Sequence, residues 1–145
     1  MVTSEATPDP DPDATEPEAA RAMHIGEVAA RTELSLRSLR HWDEVGLLKP
    51  SGRSDGGFRL YTEGDVEKIL VIRRMKPLGF TLEAMSAAMR DIATVQQAEG
   101  DAVLVAAARE RLTWILRDAA ERRERLVRHL AMADEFINLL DQRLA

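Results

Sequence analysis

Residues 35–44 read SLRSLRHWDE. Ser35 suits the start of a helix, because its hydroxyl can accept a free N–H from the first turn. Four basic or aromatic side chains follow within seven positions: Arg37, Arg40, His41 and Trp42. Leu34, just ahead of the cap, stands five residues before Leu39. That is the separation at which a hydrophobic staple fixes how the chain enters a helix. On a helix, Leu36, Leu39 and Asp43 share one side while Arg37, Ser38, Arg40 and His41 fan over the rest. The two leucines are expected to anchor the helix and leave its cations outward.

Upstream, MHIGEVAARTE (23–33) repeats Ile25, Val28 and Ala29 at helical spacing, which predicts a short amphipathic helix ending near Thr32 and Glu33. Two short helices joined by a tight turn suggest a helix-turn-helix. Its second helix enters the major groove, where arginine can donate twice to guanine. From these residues alone, a surface helix with solvated charges is an equal alternative. Downstream, VGLLKPSGRSDGGFRLY (45–61) reads as two strands, 46–48 and 58–61, around a loop of Pro, Gly, Ser and Asp, hence a hairpin. A period of two puts Arg59 and Tyr61 on one face and Phe58 and Leu60 on the other. With Lys49 and Arg53 in the loop, the free face is expected to lie along a phosphate backbone as a wing. Arg59 would supply charge there and Tyr61 a hydroxyl donor.

From His24 to about Met85 the chain resembles the MerR family of bacterial transcription regulators. The matching runs are IGEVAART, LSLRSLRHWDEVGLL, GGFRLY and IRRMKPLGFTLEAM, in order and at the expected spacing. The resemblance implies a winged helix-turn-helix. It carries DNA-contacting positions onto Arg37, Ser38, Arg40, His41 and Trp42 in the recognition helix and onto Arg53, Arg59 and Tyr61 in the wing. Lys76, in the 76–81 turn, falls in a second wing. Three departures stand out: Glu33 where many members have a turn glycine, His41–Trp42 where a tyrosine pair is usual, and Phe58 for a frequent tyrosine. Trp42 reads equally as a core aromatic closing the helix onto its neighbour.

Thr62 can cap a third helix with Val66, Ile69 and Leu70 inward, which must stop before Pro77. Phe80 and Met85 bracket Thr81 as a second staple, opening a helix with Leu82, Met85, Met89 and Ile92 on one stripe. In the last forty residues, Leu116, Arg123, Leu130, Ile137 and Leu144 repeat at one heptad position. Leu112, Ala119, Leu126, Ala133 and Leu140 repeat at the other. A helix of about 40 residues would span roughly 60 Å, too long to be covered by so small a domain, so the seam calls for a partner. The dimerisation set is therefore Leu112, Leu116, Ala119, Leu126, Leu130, Ile137 and Leu140. The resemblance adds that two such helices pair antiparallel, so that two heads face an inverted-repeat operator.

The expected fold is mainly α: a winged helix-turn-helix DNA-binding domain (23–93), a linker (94–100) and a long C-terminal dimerisation helix (101–145) forming an antiparallel coiled coil. Residues 1–22 are read as a disordered acidic, Pro-rich tail, because the first twenty hold six acids, four prolines and no Lys or Arg. The alternative is an electrostatic competitor folding back over a basic surface. Net charge is −5, yet residues 21–90 carry +3, so the middle of the chain is its basic part.

The chain has no cysteine, which excludes disulfides, thiolate metal sites and a cysteine nucleophile. His24, His41 and His129 are scattered, so no metal or other cofactor is expected. No apolar run reaches the roughly 20 residues of a membrane span, and the expectation is cytoplasmic. Without a glycine-rich phosphate loop, a nucleophile motif or clustered carboxylates outside the acidic tail, an enzyme is disfavoured. The function that the resemblance implies is a homodimeric regulator that binds double-stranded promoter DNA and distorts it so that RNA polymerase can engage both promoter elements. The alternatives are an architectural or recombination-directing DNA-binding protein, and a coiled-coil adaptor. The sequence leaves any small-molecule effector, and the sign of regulation, open.

Overall fold

In the computed structural model, which describes residues 21–97 and 99–145, a small three-stranded sheet and four short helices precede one long helix. In chain order they are β1 (Met23–His24), α1 (Ile25–Thr32), α2 (Leu36–Glu44), β2 (Gly52–Arg53), β3 (Arg59–Tyr61) and α3 (Glu63–Met75). A 3-10 turn (Lys76–Leu78), α4 (Leu82–Gln96) and α5 (Ala102–Leu144) complete the fold. Residues 1–20 of the acidic segment lie outside the described residues.

Side-chain caps start α2, α3 and α4. The Ser35 hydroxyl accepts the Ser38 N–H at 3.0 Å and the Thr81 hydroxyl the Ala84 N–H at 3.1 Å. Thr62 and Asp65 form a reciprocal capping box at the start of α3. Asp65 does more. Only 4% exposed, it also accepts from the backbone and hydroxyl of Ser51, at 3.1 and 2.6 Å, and so fastens the base of the hairpin to α3. At the end of α1, Glu33 takes the left-handed conformation at φ 55°, where glycine would be unstrained.

The chain after α2 departs from expectation. Residues 46–48 form no strand; Gly46 is left-handed at φ 76°. The N–H groups of Gly46 and Leu47 donate to Asp43 and Trp42 carbonyls at 3.1 and 2.9 Å. This is a Schellman closure, which satisfies the last carbonyls of α2 and turns Leu47 and Leu48 into the core. The strand that does form opposite β3 is β2, and β3 pairs on its other side with β1. Both pairings are antiparallel, with Met23 opposite Tyr61 and Arg53 opposite Arg59.

The core gathers Met23, Val28, Leu39, Trp42, Tyr61, Val66, Ile69, Ile72 and Met85. Each such aliphatic side chain contributes roughly 1.5–3 kcal/mol by leaving water. α4 runs to Gln96, into the segment expected as linker, and α5 then folds back antiparallel along it. Asp91, 6% exposed, pairs with Arg111 at 2.8 Å, while Arg122 reaches Leu78 at the other end of α4. α5 has 43 residues, about 65 Å of helix. From residue 123 onward every position is exposed.

Candidate nucleic-acid interface

α2 is held by one side only. Leu39 and Trp42 are each 2% exposed, and they, rather than the leucine pair, anchor it; Leu36 is 39% exposed. Trp42 is thus the core aromatic of the two readings. Arg37, Arg40 and His41 point to solvent, with Ser38 half-exposed beside its cap. A depression of about 650 Å³ is lined by Arg37, Ser38, Arg40, His41, Lys76 and the edge of Trp42, with Glu44 at its margin. The Lys76 ammonium stands 5.7 Å from the Trp42 ring centroid, a cation–π contact that joins the 3-10 turn to α2. Five polar or charged positions singled out in the sequence therefore meet on one surface.

Arg40 also borders a second depression, of about 420 Å³, with His24, Ile25, Gly57, Phe58 and Arg59. The two concavities continue from the recognition helix onto the hairpin. There the expected faces of β3 are exchanged. Tyr61 is 1% exposed, whereas Phe58 is 68% exposed and meets His24 edge to face at 6.5 Å. Pairing with β1 turns Tyr61 inward beside Met23, so its hydroxyl cannot serve as a surface donor. Among the described residues that hydroxyl has no hydrogen-bond partner, and burial pushes its pKa above the usual phenol value.

The hairpin cations are not free either. Asp43, with 11% of its side chain exposed, accepts from Arg59 Nε at 2.7 Å and from Arg53 Nη2 at 3.3 Å. Arg53 Nη1 also donates to the Gly57 carbonyl at 3.1 Å. The bond to Asp43 raises the Arg59 pKa further. Asp43 belongs to α2 and the arginines to the hairpin, so one carboxylate ties the two elements together. The sequence reading set Asp43 on the same side of the helix as Leu36 and Leu39 but gave it no role; its signal was an acid among the leucines of that side. Lys49 turns elsewhere, lining a separate depression with Lys68 and Arg90.

Along α5 the seam residues divide. Leu112 and Ala119 are half-buried against the chain's own body. Leu116 (70% exposed), Leu126, Leu130, Ile137 and Leu140 are uncovered. Among the described residues no cluster of three His, Cys, Asp or Glu could hold a metal, and no helix is long and apolar enough to cross a membrane.

This geometry has known counterparts. An uncharacterized HTH-type transcriptional regulator of Pseudomonas aeruginosa is 35% identical over 85 residues, 59% of this chain and 64% of that one. The matches span from 29% to 64% of the length of the first curated relatives, so the chain covers less than two thirds of each. A MerR family transcriptional regulator from Bacillus cereus superposes with a TM-score of 0.58 at 27% identity, covering 84% of this chain and 79% of that one. HiNmlR, a MerR family regulator lacking the sensor domain and bound to promoter DNA, shares the fold, with a TM-score of 0.58 at 22% identity over 86% and 89% of the two chains. Residues 23–92 match the family model described as MerR HTH family regulatory protein. Residues 23–92 thus form a MerR-type HTH domain.

Proposed function

We propose that the protein is a transcriptional regulator, not an enzyme, that binds double-stranded promoter DNA as a homodimer. The observation that carries this reading is the convergence of Arg37, Ser38, Arg40, His41 and Lys76 on one concave surface that Arg40 continues onto the wing. In this reading α2 enters the major groove. Arg37 and Arg40 reach base edges, Ser38 and His41 reach base edges or phosphate, and Lys76, Arg53 and Arg59 follow the phosphate backbone. Trp42 acts from beneath by fixing the helix. Tyr61 is structural.

Dimerisation follows from the far half of α5. Leu126, Leu130, Ile137 and Leu140 extend beyond the chain's own body and remain 44% to 62% exposed. Residues 102–117 hold three arginines and one acid, and residues 131–145 hold three acids and one arginine. An antiparallel pair therefore sets opposite charge against opposite charge, which selects that orientation. Two heads on a twofold axis match an inverted repeat. Bending such a site between promoter elements costs of order 1–6 kcal/mol, offset by the added phosphate contacts, and would let RNA polymerase engage both elements.

The test is selection of genomic fragments by the purified protein at about 150 mM salt, where nonspecific phosphate binding is already weakened, followed by footprinting. An enriched inverted repeat with a hypersensitive centre is expected. Arg40→Ala should then weaken binding to that site by at least about tenfold, in the range of one lost base contact, with the dimer intact. Unchanged affinity would rule out α2 as the reading helix.

A further inference from the structure

We propose that Arg122 is a positioning residue for the DNA surface: it latches α5 to the 76–79 turn and so holds Lys76 beside the recognition helix. The proposal rests on the reading that Lys76 approaches DNA. Three contacts meet at one guanidinium. Nη1 donates to the Leu78 carbonyl at 3.1 Å, across 44 residues of sequence. Nε donates to Asp118 at 3.1 Å, one turn back on α5. The guanidinium carbon stands 4.4 Å from the centroid of the Phe80 ring. The side chain is only 26% exposed.

Each contact has a reason. Leu78 closes the 3-10 turn, and the last carbonyls of a helical turn have no partner inside it. A planar guanidinium can cap such a carbonyl with its edge while its face stacks on an aromatic ring, which a lysine ammonium cannot do. An apolar depression of about 440 Å³, lined by Met75, Phe80, Ala84, Trp114 and Ile115 among others, adjoins the stack. An uncapped carbonyl in such surroundings is costly. The turn itself is a closed unit, with the Gly79 N–H donating to the Lys76 carbonyl at 3.0 Å. At its opposite end Lys76 lies over Trp42. A continuous path of contacts thus runs from the middle of α5, through Leu78 and Lys76, to the underside of α2.

The test is a double-mutant cycle on duplex binding to the site recovered by genomic selection, with Arg122→Met, Lys76→Ala and the two combined. Methionine keeps the apolar stem against Phe80 and the helix propensity while removing every donor. Arg122→Met should weaken binding about fivefold in the natural background. In the Lys76→Ala background its effect should fall below about twofold, because Arg122 acts through Lys76. Equal losses in both backgrounds would mean a general structural role and overturn the proposal. A second measurement needs no DNA: the indole N–H resonance of Trp42 in the free protein should shift in Arg122→Met, and an unmoved resonance would also overturn it. If the unaltered protein bound no duplex, the functional reading would fail, while the indole resonance would still decide whether the latch exists.

Discussion

Buried without a hydrogen-bond partner among the described residues, the Tyr61 hydroxyl is a group whose removal should stabilise the fold. Leaving such a group unsatisfied costs about 1–3 kcal/mol. Tyr61→Phe is therefore expected to raise the thermal unfolding midpoint and to leave DNA affinity unchanged; weakened DNA binding would mean that the hydroxyl reaches phosphate after all. The same burial raises the Tyr61 pKa. The neutral phenol's contribution is fully present below the unfolded phenol pKa, near about 10, and is lost as pH rises through the raised folded value. The phenylalanine variant should lack that alkaline loss. Residue identity alone did not reveal this: a period of two separates the faces of β3 but does not say which is buried, and β1 settles that. Glu33 was legible as a departure from a turn glycine. It accepts the left-handed backbone at a cost of about 1–2 kcal/mol, and its carboxylate accepts from Arg73 at 3.0 Å.

Between elements, Asp43 matters because it governs two opposing effects. Its negative charge repels phosphate, and its bonds hold the wing at a set angle to α2. Asp43→Asn is expected to strengthen binding to random duplex, since a repulsion is gone. It should weaken binding to the selected site, since the wing loses its register. The ratio of the two affinities should shrink by about tenfold, equivalent to roughly 1.4 kcal/mol. Competition binding against random DNA measures that ratio, and an unchanged value would remove Asp43 from a positioning role. α2, α3 and α4 were legible because Ser35, Thr62 and Thr81 announce their starts. β1 was not, because a strand of two residues has no period to detect and its partner lies far along the chain. The outward side chains of α2 could be read from a helical wheel; a carboxylate shared by two arginines ten and sixteen residues away could not.

At the scale of the molecule, one heptad seam has two different surroundings. Near its start the seam packs on α4, and from residue 123 onward it is left exposed by the other described residues. A heptad pattern marks an apolar stripe without saying whose surface covers it, so both uses look alike in sequence. Placing a charge in the free half should act only on association: Leu130→Asp is expected to yield a monomer by sedimentation while the head keeps its helical content. A monomer for the unaltered protein at micromolar concentration would refute the pairing.

The chain contains two tryptophans, and their surroundings differ sharply: Trp42 is 2% exposed beneath the recognition helix and Trp114 is 65% exposed on α5. Indole emission moves to longer wavelength as water gains access to the ring. The protein therefore carries a blue emitter in its head and a red one on its long helix, both native. Covering Trp114 would pull the composite spectrum toward the blue, and loosening Trp42 would push it toward the red. Excitation of the unlabelled protein can thus distinguish events on the long helix from events under the recognition helix.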